Sequence, residues 1–202
     1  LALVGAAFLL FDPPPRRGEL DPALAGLGGW LVLPIIGLFL APVVTLVQFL
    51  PGLEAYSADY WQQLTSPGAA SYHPLWAPTL LADLCLSLTL VVAPLGVLLL
   101  VFTKRRSAPV AYIALVCVSV LGQTALGIAL ASIPADEPMM LPEDWGALAR
   151  SWVSAAIWIP YFLVSRRVRS TFVRTWRRPP AAEPPPLPPV IMAATRTLET
   201  AP

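Results

Sequence analysis

Apolar residues fill this chain in four long blocks, Gly28–Leu50, Trp76–Phe102, Pro109–Ile133 and Ala147–Val164. Crossing a bilayer takes about 20 consecutive apolar residues as an α-helix, and each block is close to that length or beyond it. A fifth block, Leu1–Phe11, is too short to span and stops at Asp12-Pro13-Pro14-Pro15, where proline removes donors and clashes with the preceding turn. It reads as the end of a longer apolar helix. The expected fold class is therefore all-α, a polytopic transmembrane helix bundle with four complete spans plus a partial N-terminal apolar helix.

The segments between the blocks carry their own patterns. Residues 12–27 form a Pro-rich linker. In the loop 51–75, Leu53, Tyr56, Tyr60, Trp61 and Leu64 recur at helical spacing among polar residues. This predicts a short amphipathic helix lying on the membrane with its aromatic side chains dipped in. After the fourth block, Val168, Phe172 and Trp176 share one helical face and arginines crowd the rest, so residues 165–178 should form a basic amphipathic helix on the membrane surface. Residues 179–202 are rich in Pro and Ala, as expected of an extended, disordered tail. The domain proper is thus 28–164.

Charge then orients the bundle. Arg16 and Arg17 precede the first block, Lys104, Arg105 and Arg106 fill the turn between the second and third, and Arg166, Arg167, Arg169, Arg174, Arg177 and Arg178 follow the fourth. The loops 51–75 and 134–146 hold no Lys or Arg; they carry Glu54, Asp59, Asp136, Glu137, Glu143 and Asp144. By the positive-inside rule, loop 103–108 and the C-terminus face the cytoplasm and the acidic loops lie outside. The net charge of +1 averages two faces of opposite sign. The arginines after the fourth block are expected to meet anionic lipid headgroups at the inner leaflet, at about 1 kcal/mol each. Their attachment to a span makes lipid rather than nucleic acid the nearer anion.

Little in the sequence carries catalytic chemistry. No nucleophile stands with a positioned base, no glycine-rich loop could cradle phosphate, and the single histidine, His73, lies far from the spacing of a zinc site. Cys85 and Cys117 fall on the second and third blocks at depths about 12 Å apart, given a rise of about 1.5 Å per residue. Disulfide geometry does not reach across that offset. No catalytic, cofactor-binding or metal-ligating residues are assigned, and no cofactor is expected.

Ionisable groups inside a bilayer are costly and deserve individual accounts. Asp83, two turns into the second block, is the clear case. Depth counting places Thr45 of the first block and Arg150 of the fourth near its level, with Gln123 and Thr124 near the midplane of the third. Asp83 is expected to face the bundle interior and pair with Arg150, directly or through water, forming a polar set with Gln123 and Thr45. Pro34, Pro42 and Pro160 predict kinks, and Pro160 with Trp158 and Tyr161 should loosen the last turn of the fourth block.

Two stretches resemble a known family. Gly28-Gly29-Trp30-Leu31-Val32-Leu33-Pro34-Ile35-Ile36-Gly37-Leu38 looks like an opening signature. Ala156-Ile157-Trp158-Ile159-Pro160-Tyr161-Phe162-Leu163-Val164-Ser165-Arg166-Arg167-Val168-Arg169 looks like a closing one. Both are similar to the bacterial membrane family catalogued as domain of unknown function 2569, over roughly residues 27–173. The resemblance implies a four-span domain in a bacterial cytoplasmic membrane and no assigned activity. Some relatives resemble C-terminal modules of longer proteins with an extracytoplasmic transglutaminase-like part, which would place Leu1–Phe11 at the end of a fifth span.

The resulting expectation is a non-enzymatic anchor or coupling module for a larger, transglutaminase-like protein, with the lipid bilayer and an unidentified membrane protein as partners. The alternative is a small transporter or channel subunit using Asp83.

Overall fold

A computed structural model of the chain describes residues 26–134 and 140–173. The elements are all helices, with a 3-10 turn at Gly29–Leu31 leading into α1, Val32–Phe49. A second 3-10 stretch, Leu50–Tyr56, and a short α2, Ala58–Thr65, follow. Three long helices come next, α3 Trp76–Phe102, α4 Ala108–Ala131 and α5 Pro142–Val164, and α6, Arg166–Thr171, ends the described chain. The four long helices, with the 3-10 extensions of the first, are long and apolar enough to cross a membrane. The expected all-α, four-span fold class is what the chain adopts, and a multi-pass membrane protein is what it suggests.

Most of the long helices' surface stays uncovered. Leu33, Val43 and Val47 on α1, Val92 on α3, Leu121 on α4, and Val153 and Ile157 on α5 are all at least half exposed. A soluble monomer rarely leaves so much contiguous apolar surface open. In a bilayer the same surface is solvated by acyl chains.

The long helices pack in chain order, α1 on α3, α3 on α4 and α4 on α5, whereas α1 and α5 share little contact. Close approach of α3 and α4 uses Gly122, where an added Cβ would stand 2.8 Å from Leu86 Cδ1. Small residues at such a crossing let helix backbones approach in lipid, where dispersion rather than water exclusion drives packing. The turn between α3 and α4 is closed by two paired backbone bonds, Lys104 N–H to Val101 O and Arg105 N–H to Leu100 O, both at 3.0 Å. This cap puts Lys104 in the left-handed region at φ 52°, a position usually given to glycine.

Buried side chains concentrate at the two ends of the bundle. At the basic end Leu31, Leu38, Val97, Val101, Tyr112 and Phe162 form the main core, with Val168 and Phe172 from the C-terminal segment. Tyr112 and Phe162 stack with centroids 4.2 Å apart. At the acidic end Trp76, Leu80 and Ile133 form a smaller core, covered by Tyr56, Trp61 and Leu64.

Four sequence expectations change here. The amphipathic helix expected across Leu53–Leu64 is split at Ser57, which turns extended and accepts the Tyr60 N–H at 3.4 Å as a helix N-cap. Tyr56 and Trp61 then pack on α3 rather than into lipid. The fourth span starts at Pro142, not Ala147, because Asp144 Oδ2 accepts the Leu141 N–H at 2.9 Å and Pro142 suits the first helical position. Pro160 does not loosen the helix: α5 runs through it to Val164 and stops at Ser165. Similarly, Pro34 falls in the first turn of α1, leaving Pro42 as the interior proline there.

Candidate functional site

After α5, residues 165–173 fold back under the bundle. Ser165 breaks α5 with an extended backbone and caps α6 by accepting the Val168 N–H at 3.4 Å. The turn drives Val168, Thr171 and Phe172 against Leu31 and the main core, leaving them at most 5 % exposed. The expected surface-lying amphipathic helix is corrected for its described part: Val168 and Phe172 cover the bundle's own core, and α6 ends at Thr171, while Trp176 lies outside the described residues.

Four contacts fasten this segment. Thr171 Oγ1 donates to Gly26 O at 3.1 Å and accepts from Gly26 N–H at 3.2 Å. The Arg167 guanidinium lies over Gly28 and Gly29, where a Cβ on Gly29 would stand 3.3 Å from Arg167 Cζ. Gly29 also has φ +65°, so backbone conformation and close approach both call for glycine at this position. Arg106 Nε donates to Val173 O at 3.1 Å. Arg169 Nη2 donates to Val164 O at 2.8 Å, satisfying a carbonyl that the end of α5 leaves open.

The basic cluster is thus only partly free to meet headgroups. Arg166 and Lys104 are exposed, whereas Arg167 and Arg169 are half-buried and engaged with the fold. Arg174, Arg177 and Arg178 lie outside the described residues. Trp30 projects from this end and is 71 % exposed. Trp158 meets Tyr161 edge-on at 5.6 Å, and Tyr161 in turn meets Phe162 at 5.7 Å. The closing stretch therefore builds an aromatic row on the last turns of α5 that ends in the buried Phe162.

At the acidic end, Asp83 finds a partner that the sequence reading missed. Tyr56 Oη donates to Asp83 Oδ2 at 2.8 Å and lies 3.2 Å from Leu80 O. Arg150 makes no direct ion pair with Asp83, so the direct form of the expected interhelical pair is corrected: the carboxylate accepts from Tyr56. The Arg150 side chain instead turns back along α5, with Nη1 3.5 Å from where a Gly146 Cβ would lie. Gln123 Nε2 donates to Ser119 on its own helix at 2.8 Å. Thr124 accepts the Trp152 Nε1–H at 3.1 Å, joining α4 to α5. Thr45 is half-buried on α1. The four residues expected to form one polar set are therefore dispersed.

Arg150 lines a different feature. A cleft of ≈ 410 Å³ lies between α1, α3, α4 and α5. Pro34, Leu38, Leu90, Pro94, Leu115 and Val116 make its apolar walls, and Ser119, Arg150, Ser151 and Ser154 give it a polar side. Among the described residues no group of three or more His, Cys, Asp or Glu could hold a metal ion. Cys85 and Cys117 are free thiols.

Residues 24–173 match the model of a family described as a protein of unknown function, DUF2569. The chain belongs to the DUF2569 family. No curated protein and no solved structure matches it. In this DUF2569 chain the matched region begins and ends at the same place in space, because Gly26 and Thr171 are bonded to each other. The two stretches that carry the resemblance, around Gly28-Gly29-Trp30 and Ser165–Arg169, meet in the contact of Arg167 with the glycine pair. Each motif was visible in sequence, while the contact between them was not. Its signal was a bulky cation in one motif and two consecutive glycines in the other.

Proposed function

We propose that this domain is a non-enzymatic membrane anchor or coupling module. It sits in a bacterial cytoplasmic membrane with its basic end toward the cytoplasm. The observation that supports this reading is the bonding of Gly26 to Thr171, reinforced by Arg167 on Gly28-Gly29. Segments entering and leaving the domain are held side by side at one surface of the bundle, so that anything joined to either is positioned relative to the other. Charge supports the orientation, since Lys104, Arg105, Arg106, Arg166, Arg167 and Arg169 all belong to that end. Headgroups of anionic lipids at the inner leaflet are the expected partners of Arg166 and Lys104, which remain exposed.

The larger assembly served by the anchor is a further membrane protein, or a transglutaminase-like part of the same polypeptide, as the family resemblance implies. Native-gel separation of gently solubilised membranes, probed with an antibody against residues 180–202, tests the reading. An anchor migrates in a complex far heavier than this chain with its detergent. Migration as the lone chain would overturn the proposal and leave the bundle to act by itself, with Asp83 as the group to examine for ion or proton coupling.

A further inference from the structure

We infer that the cleft between α1 and α5 is a lipid site, which takes an acyl chain of an anionic phospholipid and sets its phosphate on Arg150. The back of the cleft is formed by Leu90 and Pro94 of α3 with Leu115 and Val116 of α4. Pro34 and Leu38 of α1 form one side wall, and α5 forms the other. Because α1 and α5 share little contact, the front is open toward the surroundings, which for apolar helices of this length are acyl chains.

Size decides what kind of occupant fits. The cleft is open along its front and measures ≈ 410 Å³. The volume falls within the range of about 300–1,000 Å³ that holds small ligands. Gly37 lies in the wall with nothing within 4 Å of an added Cβ, so space remains beside α1 for a chain to lie along it.

Charge decides the headgroup. Arg150 lies eight residues into α5, about 12 Å from its start, and carries a guanidinium without an acidic partner among the described residues. The one intramembrane carboxylate on α3 is occupied by Tyr56. Trp145, 43 % exposed, stands five residues nearer the start of the same helix. Tryptophan is enriched at the headgroup level. Turned back over Gly146, the guanidinium points toward that level from the polar side of the cleft. A phosphate there would accept the paired N–H donors that the fold leaves open. The headgroup end of this site, at Arg150, lies toward the acidic end and is separate from the headgroup contacts proposed for the basic end.

Native mass spectrometry of the full chain in detergent micelles, loaded with phosphatidylglycerol or phosphatidylcholine, tests the site. Wild type should retain phosphatidylglycerol about tenfold better, because the choline ammonium of phosphatidylcholine offsets the phosphate charge that Arg150 meets. Arg150→Gln should abolish that preference, while Arg150→Lys keeps most of it. Gly37→Leu, which fills the cleft, should reduce retention of both lipids by a similar factor. The arginines of the basic end are unchanged in every variant, so their lipids cancel in the comparison. Equal preference in wild type and Arg150→Gln would overturn the proposal. So would undiminished retention in Gly37→Leu, which would put the lipid on the surface, or displacement by excess inorganic phosphate, which would mean that the headgroup binds without the tail.

Discussion

Thr171 and Gly26 exchange two hydrogen bonds across 145 residues of chain. Thr171 is 1 % exposed, so its hydroxyl has no water to fall back on. Thr171→Val keeps the shape but leaves the Gly26 N–H and C=O without this partner. The expected cost is about 1–3 kcal/mol, the range for leaving buried polar groups unpaired. Thr171→Ser restores both bonds and should recover most of the loss. Thermal unfolding in detergent, followed by far-ultraviolet circular dichroism, measures both.

Gly29→Ala attacks the neighbouring contact. A Cβ at φ +65° costs about 1–2 kcal/mol and lies 3.3 Å from Arg167 Cζ, so the guanidinium must also shift. Gly28→Ala meets Arg167 Nη1 only at 3.6 Å and has an ordinary backbone, so it should be much milder. Comparing the midpoints of the two variants separates the tight glycine from its tolerant neighbour. Equal effects would show that neither the left-handed backbone nor Arg167 constrains Gly29 in this way.

At the acidic end, Tyr56→Phe removes the donor to Asp83 and should cost about 1.5–3 kcal/mol, as for hydrogen bonds to charged groups. Asp83→Asn keeps an oxygen that can accept from Tyr56 and should cost less, about 1 kcal/mol. Under the anchor reading, proteoliposomes of wild type and Asp83→Asn show the same background proton and cation leak. A flux present in wild type and absent from a folded Asp83→Asn would favour the transporter alternative.

Gly122 sets the spacing of α3 and α4. Gly122→Ala brings a methyl within 2.8 Å of Leu86, whose flexible end can swing aside, so a loss of about 1 kcal/mol is expected. Gly122→Leu cannot be relieved in that way and should lose about 3 kcal/mol or fail to pack. Unfolding titrations with dodecyl sulfate in mixed micelles would rank the two.

Lys104 offers the opposite direction. Its left-handed backbone is strained for any residue with a Cβ, and its side chain is exposed. Lys104→Gly should therefore stabilise the hairpin by up to about 1 kcal/mol, offset by the greater freedom glycine gains in the unfolded chain. A lowered melting temperature would mean that the lysine charge matters more than the strain.

The positions of the long helices were legible because lipid exposure demands continuous apolar sequence, and α3 begins and ends at the expected residues, Trp76 and Phe102. The start of α5 was not, because Pro142-Glu143-Asp144 is polar and its helix depends on a local cap that hydropathy ignores. Asp83 stood out as an intramembrane carboxylate, yet its partner could not be chosen by depth alone. Tyr56 reaches it only because the 3-10 stretch after α1 folds over the end of α3. The fold-back of α6 was hidden for a related reason. Val168 and Phe172 have the same spacing whether they face lipid or protein, and only Ser165 determines which.

The bond between Gly26 and Thr171 makes the domain nearly circular as a polymer. A short linker could join residue 173 to residue 26, and the chain could be reopened between Lys104 and Arg105, a tight turn at the same end of the bundle. Every helix would keep its direction across the membrane, and both new ends would emerge on the side the old ones left. The order in which the four long helices are strung would become α4, α5, α1, α3, with each neighbour contact retained.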